Sequence, residues 1–175
     1  TCVLVRYSEI GLKGPQTRRR MEKTLVDNIR ICLETEKIKF KMIRRGNSRI
    51  IIFTDDADNA SVHLSRVFGV ASSSSSIYFE TDIEKIKDAA LSLYDKGTFR
   101  ISSRRITKSM KENSTKINEI VGAHIVKEKK AKVKLKNSDI DIGIEVIRKN
   151  AYLFTKTNQG PAGLPLGAQG TIACI

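Results

Sequence analysis

The sequence predicts an α+β protein built from two successive units, and three observations carry that reading. Over residues 1–80 the apolar residues follow the order strand, helix, strand, strand, helix, strand, with the period switching between two and three-to-four. A second series of helices and strands opens at Thr81. At 175 residues and 40% apolar content, the chain can hide roughly two-thirds of its surface, enough for two small cores. The β-α-β-β-α-β order is the ferredoxin-like arrangement, and the second series reads as an α/β domain.

The elements justify themselves in turn. Thr1–Tyr7 is rich in β-branched residues and reads as a strand. Ser8–Gly14 is a loop, and Pro15 suits the first position of a helix. Met21, Leu25, Ile29, Cys32 and Leu33 then form one apolar face through about Glu36. Lys37–Ile43 and Arg49–Phe53 flank Gly46-Asn47 as a hairpin. Asp58 to Phe68 is a short helix closed by Gly69. The run Ala71-Ser-Ser-Ser-Ser-Ser76 could be a linker; a strand entry or edge is preferred, because the first unit otherwise lacks its fourth strand.

In the second series Thr81-x-x-Glu84 reads as a capping box, with Ile83, Ile86, Ala90 and Leu93 as the buried stripe and Gly97 beyond the helix. Thr98–Ser102 is a strand and Arg104–Asn113 a basic connection. Ser114 caps a helix carrying Ile117, Ile120, Val121 and Ile125, whose terminal Lys127, Lys129 and Lys130 suit the helix dipole. Lys132–Lys136 alternates as a strand, Asp139–Ile147 follows as another, and Ala151–Lys156 returns as its hairpin partner. The domain boundaries expected are 1–80, 81–165, and a joint with a further strand over 166–175. Residues after about Gly167 are expected to be poorly packed.

Charge is the first functional signal. The net charge is +13, with 32 Lys and Arg against 19 Asp and Glu. Such an excess repels itself unless an anion binds, and the usual partners are nucleic acid or an anionic membrane surface. It concentrates between Phe99 and Lys136, where twelve basic residues face three acidic ones, net +9. Arg18, Arg19 and Arg20 stand in the first turns of a helix, where the dipole disfavours cations by ~0.3–1 kcal/mol each. A phosphate at that helix start, within reach of Lys13, would reverse the sign; arginines turned to solvent or back to Glu22 are the plain alternative. The second cluster is Arg100, Arg104, Arg105 and Lys108, with Ser102 and Ser103 as hydroxyl donors. With no Trp, four Tyr and six Phe, stacking on splayed bases is disfavoured, and readout of backbone and shape of a structured RNA fits better.

Other chemistries find little support. Cys2, Cys32 and Cys174 are odd in number and scattered, and with two histidines no metal site is expected. No phosphate loop of the G-x-x-x-x-G-K-[ST] type and no ATP loop of the S-G-G-x-D-S type occurs, so no catalytic residue is assigned. No run reaches the ~18–20 apolar residues of a membrane span, and a cytoplasmic protein is expected.

Two stretches go further. "VLVRYSEIGLKG", Val3–Gly14, resembles the opening of tRNA 4-thiouridine synthetases, the tRNA sulfurtransferases also called thiamine biosynthesis proteins. "GPAGLPLGAQG", Gly160–Gly170, resembles the segment that joins the RNA-binding and catalytic halves of that family. Between them "FRISSRRITK", "INEIVGAHIV", "VKLKNSDIDIGIEV" and "AYLFTK" resemble a THUMP domain. The resemblance implies a ferredoxin-like domain and a THUMP domain that hold the acceptor end of tRNA. It places RNA-facing positions at Lys13, Arg18, Arg100, Arg104, Arg105, Lys108 and Asn118. It also implies a PP-loop domain, using ATP and Mg, whose nucleotide loop would begin just after Ile175. A cysteine desulfurase as sulfur donor and a homodimer follow from the same resemblance. Two other readings stay open: a stand-alone RNA-binding protein or RNA-binding module of another modifying enzyme such as a methyltransferase, and a small enzyme of thiamine metabolism acting on a phosphorylated metabolite.

Overall fold

The structure is a computed structural model and describes residues 1–170. In chain order the elements are β1 (Cys2–Arg6), a 3-10 turn (Glu9–Leu12), α1 (Pro15–Thr35), β2 (Met42–Gly46), β3 (Arg49–Phe53), α2 (Ala57–Leu64) and β4 (Ser72–Glu80). There follow α3 (Ile83–Leu93), β5 (Thr98–Arg105), α4 (Ser114–Lys129), β6 (Lys132–Val133), β7 (Ile140–Ile147), β8 (Asn150–Phe154) and β9 (Asn158–Gln159). The described residues form two compact units: residues 1–75 with residues 157–170, and Ser76–Lys156.

In the first unit the strands lie in the order β2-β3-β1-β4, with β9 antiparallel to the start of β4. Strand β3 is antiparallel to both β1 and β2, with Leu4 opposite Ile51 and Arg44 opposite Ile51 on the other side. One face of the sheet, Val3, Val5, Ile50 and Ile52, packs against Met21, Leu25, Ile29 and Leu33 of α1 and Ala60 and Leu64 of α2. Burying each such aliphatic side chain contributes roughly 1.5–3 kcal/mol, so the three-to-four spacing on α1 is what fixes the helix to the sheet.

Several expected boundaries move, each for a local reason. The strand expected from Lys37 starts at Met42, because α1 ends in a Schellman motif: Lys37 is left-handed (φ 56°) and Ile38 N–H donates to Leu33 O at 2.8 Å. A lysine stands where glycine would have announced the cap. The hairpin then turns through Asn47 and Ser48, both left-handed, as a two-residue type I′ connection requires. Helix α2 stops at Leu64, four residues before the expected Phe68.

The serine run is a strand, and it is flanked on both sides by β1 and β9. The buried Ser73 and Ser74 hydroxyls are hydrogen-bonded. Ser73 Oγ donates to Ser61 O at 2.6 Å, Ser74 Oγ meets Thr157 Oγ1 at 3.1 Å, and Arg6 Nη1 donates to Ser74 Oγ at 3.0 Å. Small side chains let these polar groups be satisfied where larger ones would not fit.

The second unit orders its strands β4-β8-β7-β5-β6. The end of β4 and β7 are antiparallel to β8, whereas β5 is parallel to β7 and to β6. Ile142, Ile144, Val146, Phe99 and Leu153 of the sheet meet Ile86 and Ala90 of α3 and Ile117, Val121 and Ile125 of α4. Both helix caps sit one residue from the expected ones. Asp82, and not Thr81, caps α3 by accepting from Lys85 N–H at 2.9 Å; Asn113, and not Ser114, caps α4 by accepting from Lys116 N–H at 2.8 Å. Strand β5 runs on to Arg105 because its parallel register continues to Arg105 opposite Val146, so Arg104 and Arg105 are strand residues and not part of a loop. Strand β6 is only two residues long, although Lys134 N–H still donates to Phe99 O at 2.9 Å.

Residues 157–165, expected in the second domain, belong with the first. Gly69 N–H donates to Ala162 O, Ala162 N–H to Val70 O and Gly160 N–H to Ala71 O, at 2.8–2.9 Å. Pro165 is buried, and Ala168 packs against the first core instead of standing loose. The strand expected over Thr171–Ile175 lies outside the described residues.

Candidate nucleic-acid interface

The basic residues singled out by the sequence separate into two physical kinds. In the first unit Lys13, Arg19 and Arg20 are exposed around the start of α1. That helix has Gly14 at its N-cap with no side chain capping it. Arg18 is built in: its Nε donates to Glu22 Oε1 at 2.9 Å, and its Nη2 donates to Ser48 Oγ at 2.6 Å and to Tyr7 Oη at 3.2 Å. The Tyr7 hydroxyl in turn donates to Glu22. The bond to Tyr7 and then that to Glu22 push the guanidinium pKa up, so Arg18 stays charged at any working pH. Arg45, which the sequence did not mark, joins this cluster by donating from Nη1 to Arg19 O at 3.4 Å. Its neighbour Arg44 lies over the Phe53 ring at 5.2 Å. An Arg-Arg pair just before a two-residue hairpin turn was the available signal.

In the second unit Arg104 and Lys108 are exposed. Arg100 faces Asp141 across the parallel β5–β7 register and pairs with it, and its Nη1 donates to Leu135 O at 3.3 Å. Arg105 Nη1 donates to Met110 O at 2.9 Å and so braces the loop after β5. Asn118 accepts Ser103 N–H on its Oδ1 at 3.0 Å, while Ser103 Oγ donates to Ser114 O at 2.7 Å; together they tie the end of β5 to the start of α4. Four of the nine residues, Arg18, Arg100, Arg105 and Asn118, therefore shape the surface that the other five decorate.

A groove of about 500 Å³ lies between α4 and the β5–β6 edge. No local pattern announces it, because its walls come from three separate segments. Among the described residues, no group of three or more His, Cys, Asp or Glu is placed to hold a metal ion, and no helix is long and apolar enough to cross a membrane.

Fold and surface together define a two-domain α+β protein in which a ferredoxin-like unit is joined to an α/β unit with a cationic surface. The family model described as the ThiI ferredoxin-like domain matches residues 2–74, and the THUMP domain model matches residues 80–156. The chain therefore carries a ThiI ferredoxin-like domain followed by a THUMP domain. It is 37% identical to a probable tRNA sulfurtransferase of Thermococcus kodakarensis, over 99% of this chain and 48% of the relative. The chain thus spans about half the length of the curated relatives it matches. A crystal structure from Pyrococcus horikoshii superimposes with a TM-score of 0.89 at 40% identity, covering 95% of this chain and 57% of that one. The crystal structure of a 4-thiouridine synthetase in complex with RNA and ATP superimposes with a TM-score of 0.73 at 29% identity, over 95% of this chain and 44% of that one.

Proposed function

We propose that this chain is the tRNA-binding part of a tRNA sulfurtransferase that makes 4-thiouridine, and that it positions the acceptor region of tRNA for ATP-dependent thiolation. The observation that carries the reading is the end-to-end match to relatives named for that activity, through both domains in order. Lys13, Arg19, Arg20, Arg104 and Lys108 are the phosphate contacts, as exposed cations able to displace counterions. Arg18, Arg100, Arg105 and Asn118 hold the segments that carry them, and touch RNA with whatever donors their internal bonds leave over. Chemistry belongs to the parent enzyme: its catalytic half binds ATP and Mg, a cysteine desulfurase supplies sulfur, and a homodimer lets one subunit's RNA-binding part serve the other's catalytic half.

The test is the salt dependence of tRNA binding by the 175-residue chain. With six to ten phosphate contacts, affinity falls by ~10³–10⁵ between 50 and 200 mM salt. Affinity that does not change with salt, or no binding to tRNA, defeats the proposal.

A further inference from the structure

The two stretches that stand out in the sequence, Val3–Gly14 and Gly160–Gly170, meet in the first unit. Glu9 Oε2 accepts from Gly163 N–H at 3.0 Å, across 154 residues of chain. The same carboxylate takes the Ser8 hydroxyl, and these bonds, that of Ser8 foremost, hold it below the usual carboxylate range. The neighbours of Gly163 are fastened separately. Gly160 and Ala162 N–H donate to Ala71 O and Val70 O at 2.9 and 2.8 Å, and Asn28 Nδ2 donates to Leu166 O at 3.0 Å. Between those anchors Gly163 is left-handed (φ 72°), and a Cβ added there would meet no atom within 4 Å. Glycine is required there by conformation and not by space.

Glu9 also stands where its charge matters. It lies four residues before Lys13 in the turn that presents that cation, and Lys13 N–H closes the turn by donating to Ile10 O at 3.2 Å. Ile10 is fully buried and fixes the turn to the core. Lys13 is exposed and makes no ion pair among the described residues. Long side chains of opposite charge four residues apart around a helical turn are within reach of each other. The bond to Gly163 therefore does two things: it closes the glycine-rich segment onto the loop, and it keeps the acid from the cation.

We infer that Glu9 couples RNA binding at Lys13 to the closure of the segment around Gly163. With Gly163 N–H in place, Lys13 is left to an RNA phosphate; with that bond released, Glu9 pairs with Lys13 and displaces the phosphate. The coupling is reciprocal, so bound RNA holds the segment closed. Glu9 is thus a positioning residue that acts on RNA through Lys13. The inference rests on the tRNA-binding reading above and adds to it a link between an RNA contact and a segment remote from it in sequence.

The experiment measures binding of an unmodified tRNA transcript to the 175-residue chain and its variants. Gly163→Ala strains the left-handed position without a clash and so loosens the bond to Glu9. It is expected to weaken tRNA binding about fivefold, the lower end of typical coupling between sites. Glu9→Gln keeps an acceptor for Gly163 N–H but offers Lys13 no charge. In that background Gly163→Ala is expected to leave tRNA affinity unchanged, whereas a purely structural fault would weaken binding in both backgrounds alike. Hydrogen exchange of the unaltered chain reads the reverse direction: exchange of Gly163 N–H is expected to slow about fivefold on saturation with tRNA. Equal effects of Gly163→Ala in the two backgrounds, none included, overturn the inference, as does an exchange rate at Gly163 that tRNA does not change. Absence of tRNA binding by the unaltered chain is instead the failure of the tRNA-binding reading itself.

Discussion

Arg18 Nη2 donates to Ser48 Oγ at 2.6 Å, and that bond joins the first turn of α1 to the turn between β2 and β3. The same guanidinium holds Glu22, so a residue that looks in the sequence like a phosphate ligand is first a brace. Arg18→Ala is expected to lower stability by about 1–2 kcal/mol, because it leaves Glu22 and Tyr7 short of partners in a half-buried setting. Urea unfolding reads this directly. Arg19→Ala, one residue on and exposed, is expected to leave the midpoint unchanged.

The same division governs the second unit. Arg104→Ala with Lys108→Ala is expected to weaken tRNA binding and to reduce the slope of log affinity against log salt by about one for each phosphate lost, with an unchanged melting temperature. Arg105→Ala is expected to lower the melting temperature as well, since it releases Met110 O. A double variant that binds with the unaltered salt slope removes Arg104 and Lys108 from the interface.

Gly143 and Phe154 face each other across β7 and β8, and a Cβ added to Gly143 would come within 2.2 Å of the Phe154 ring. Gly143→Ala is therefore expected to cost about 1–3 kcal/mol by overpacking. Pairing it with Phe154→Leu recovers part of that loss. Equal destabilisation in the single and double variants would show that the ring is not the obstacle.

Asp139 gives the second unit an acid-sensitive clasp. Its Oδ2 accepts from the hydroxyl and the N–H of Thr98, both at 2.7 Å, and these bonds hold its carboxyl below the usual carboxylate range. The stabilisation is present above the ordinary aspartate pKa and is lost as pH falls through the lowered native value. Asp139→Asn is expected to reduce stability at neutral pH and to flatten the acid limb of a stability-against-pH curve. An unaltered acid limb in the variant would assign that limb to other carboxylates.

Cys2 lies fully buried in β1, and burial pushes its thiol up to about 12. Iodoacetamide at pH 8 is expected to leave Cys2 unmodified in the native chain and to alkylate it after unfolding in guanidinium, as peptide mass spectrometry would record.

Much of this architecture is legible in the residues. The spacing of Met21, Leu25, Ile29 and Leu33 announces α1, and the alternation of Ile142, Ile144 and Val146 announces β7, because burial on one face imposes those periods. What escaped was set by contacts between distant segments. Nothing local tells that Lys37 will take a left-handed cap, that β5 will extend to Arg105 to match β7, or that residues 157–165 will return to the first unit. The candidate site divides in the same way. Sequence finds the cations, but which of them are braces depends on Glu22, Ser48, Asp141 and Met110, and the groove beside α4 depends on three segments meeting.

The bonds from Gly69, Gly160 and Ala162 have a consequence for biosynthesis. Because the first unit takes β9 and the Gly160–Pro165 segment from beyond the second, it is interrupted in the chain by a complete domain. On a ribosome, domains generally form as they emerge, N-terminal first. Here the order is reversed at the last step: the second unit has its whole sequence by Lys156, while the first must wait for Pro165 to appear before its sheet edge is closed. A nascent chain halted between those two points would carry a finished second unit and an unfinished first one.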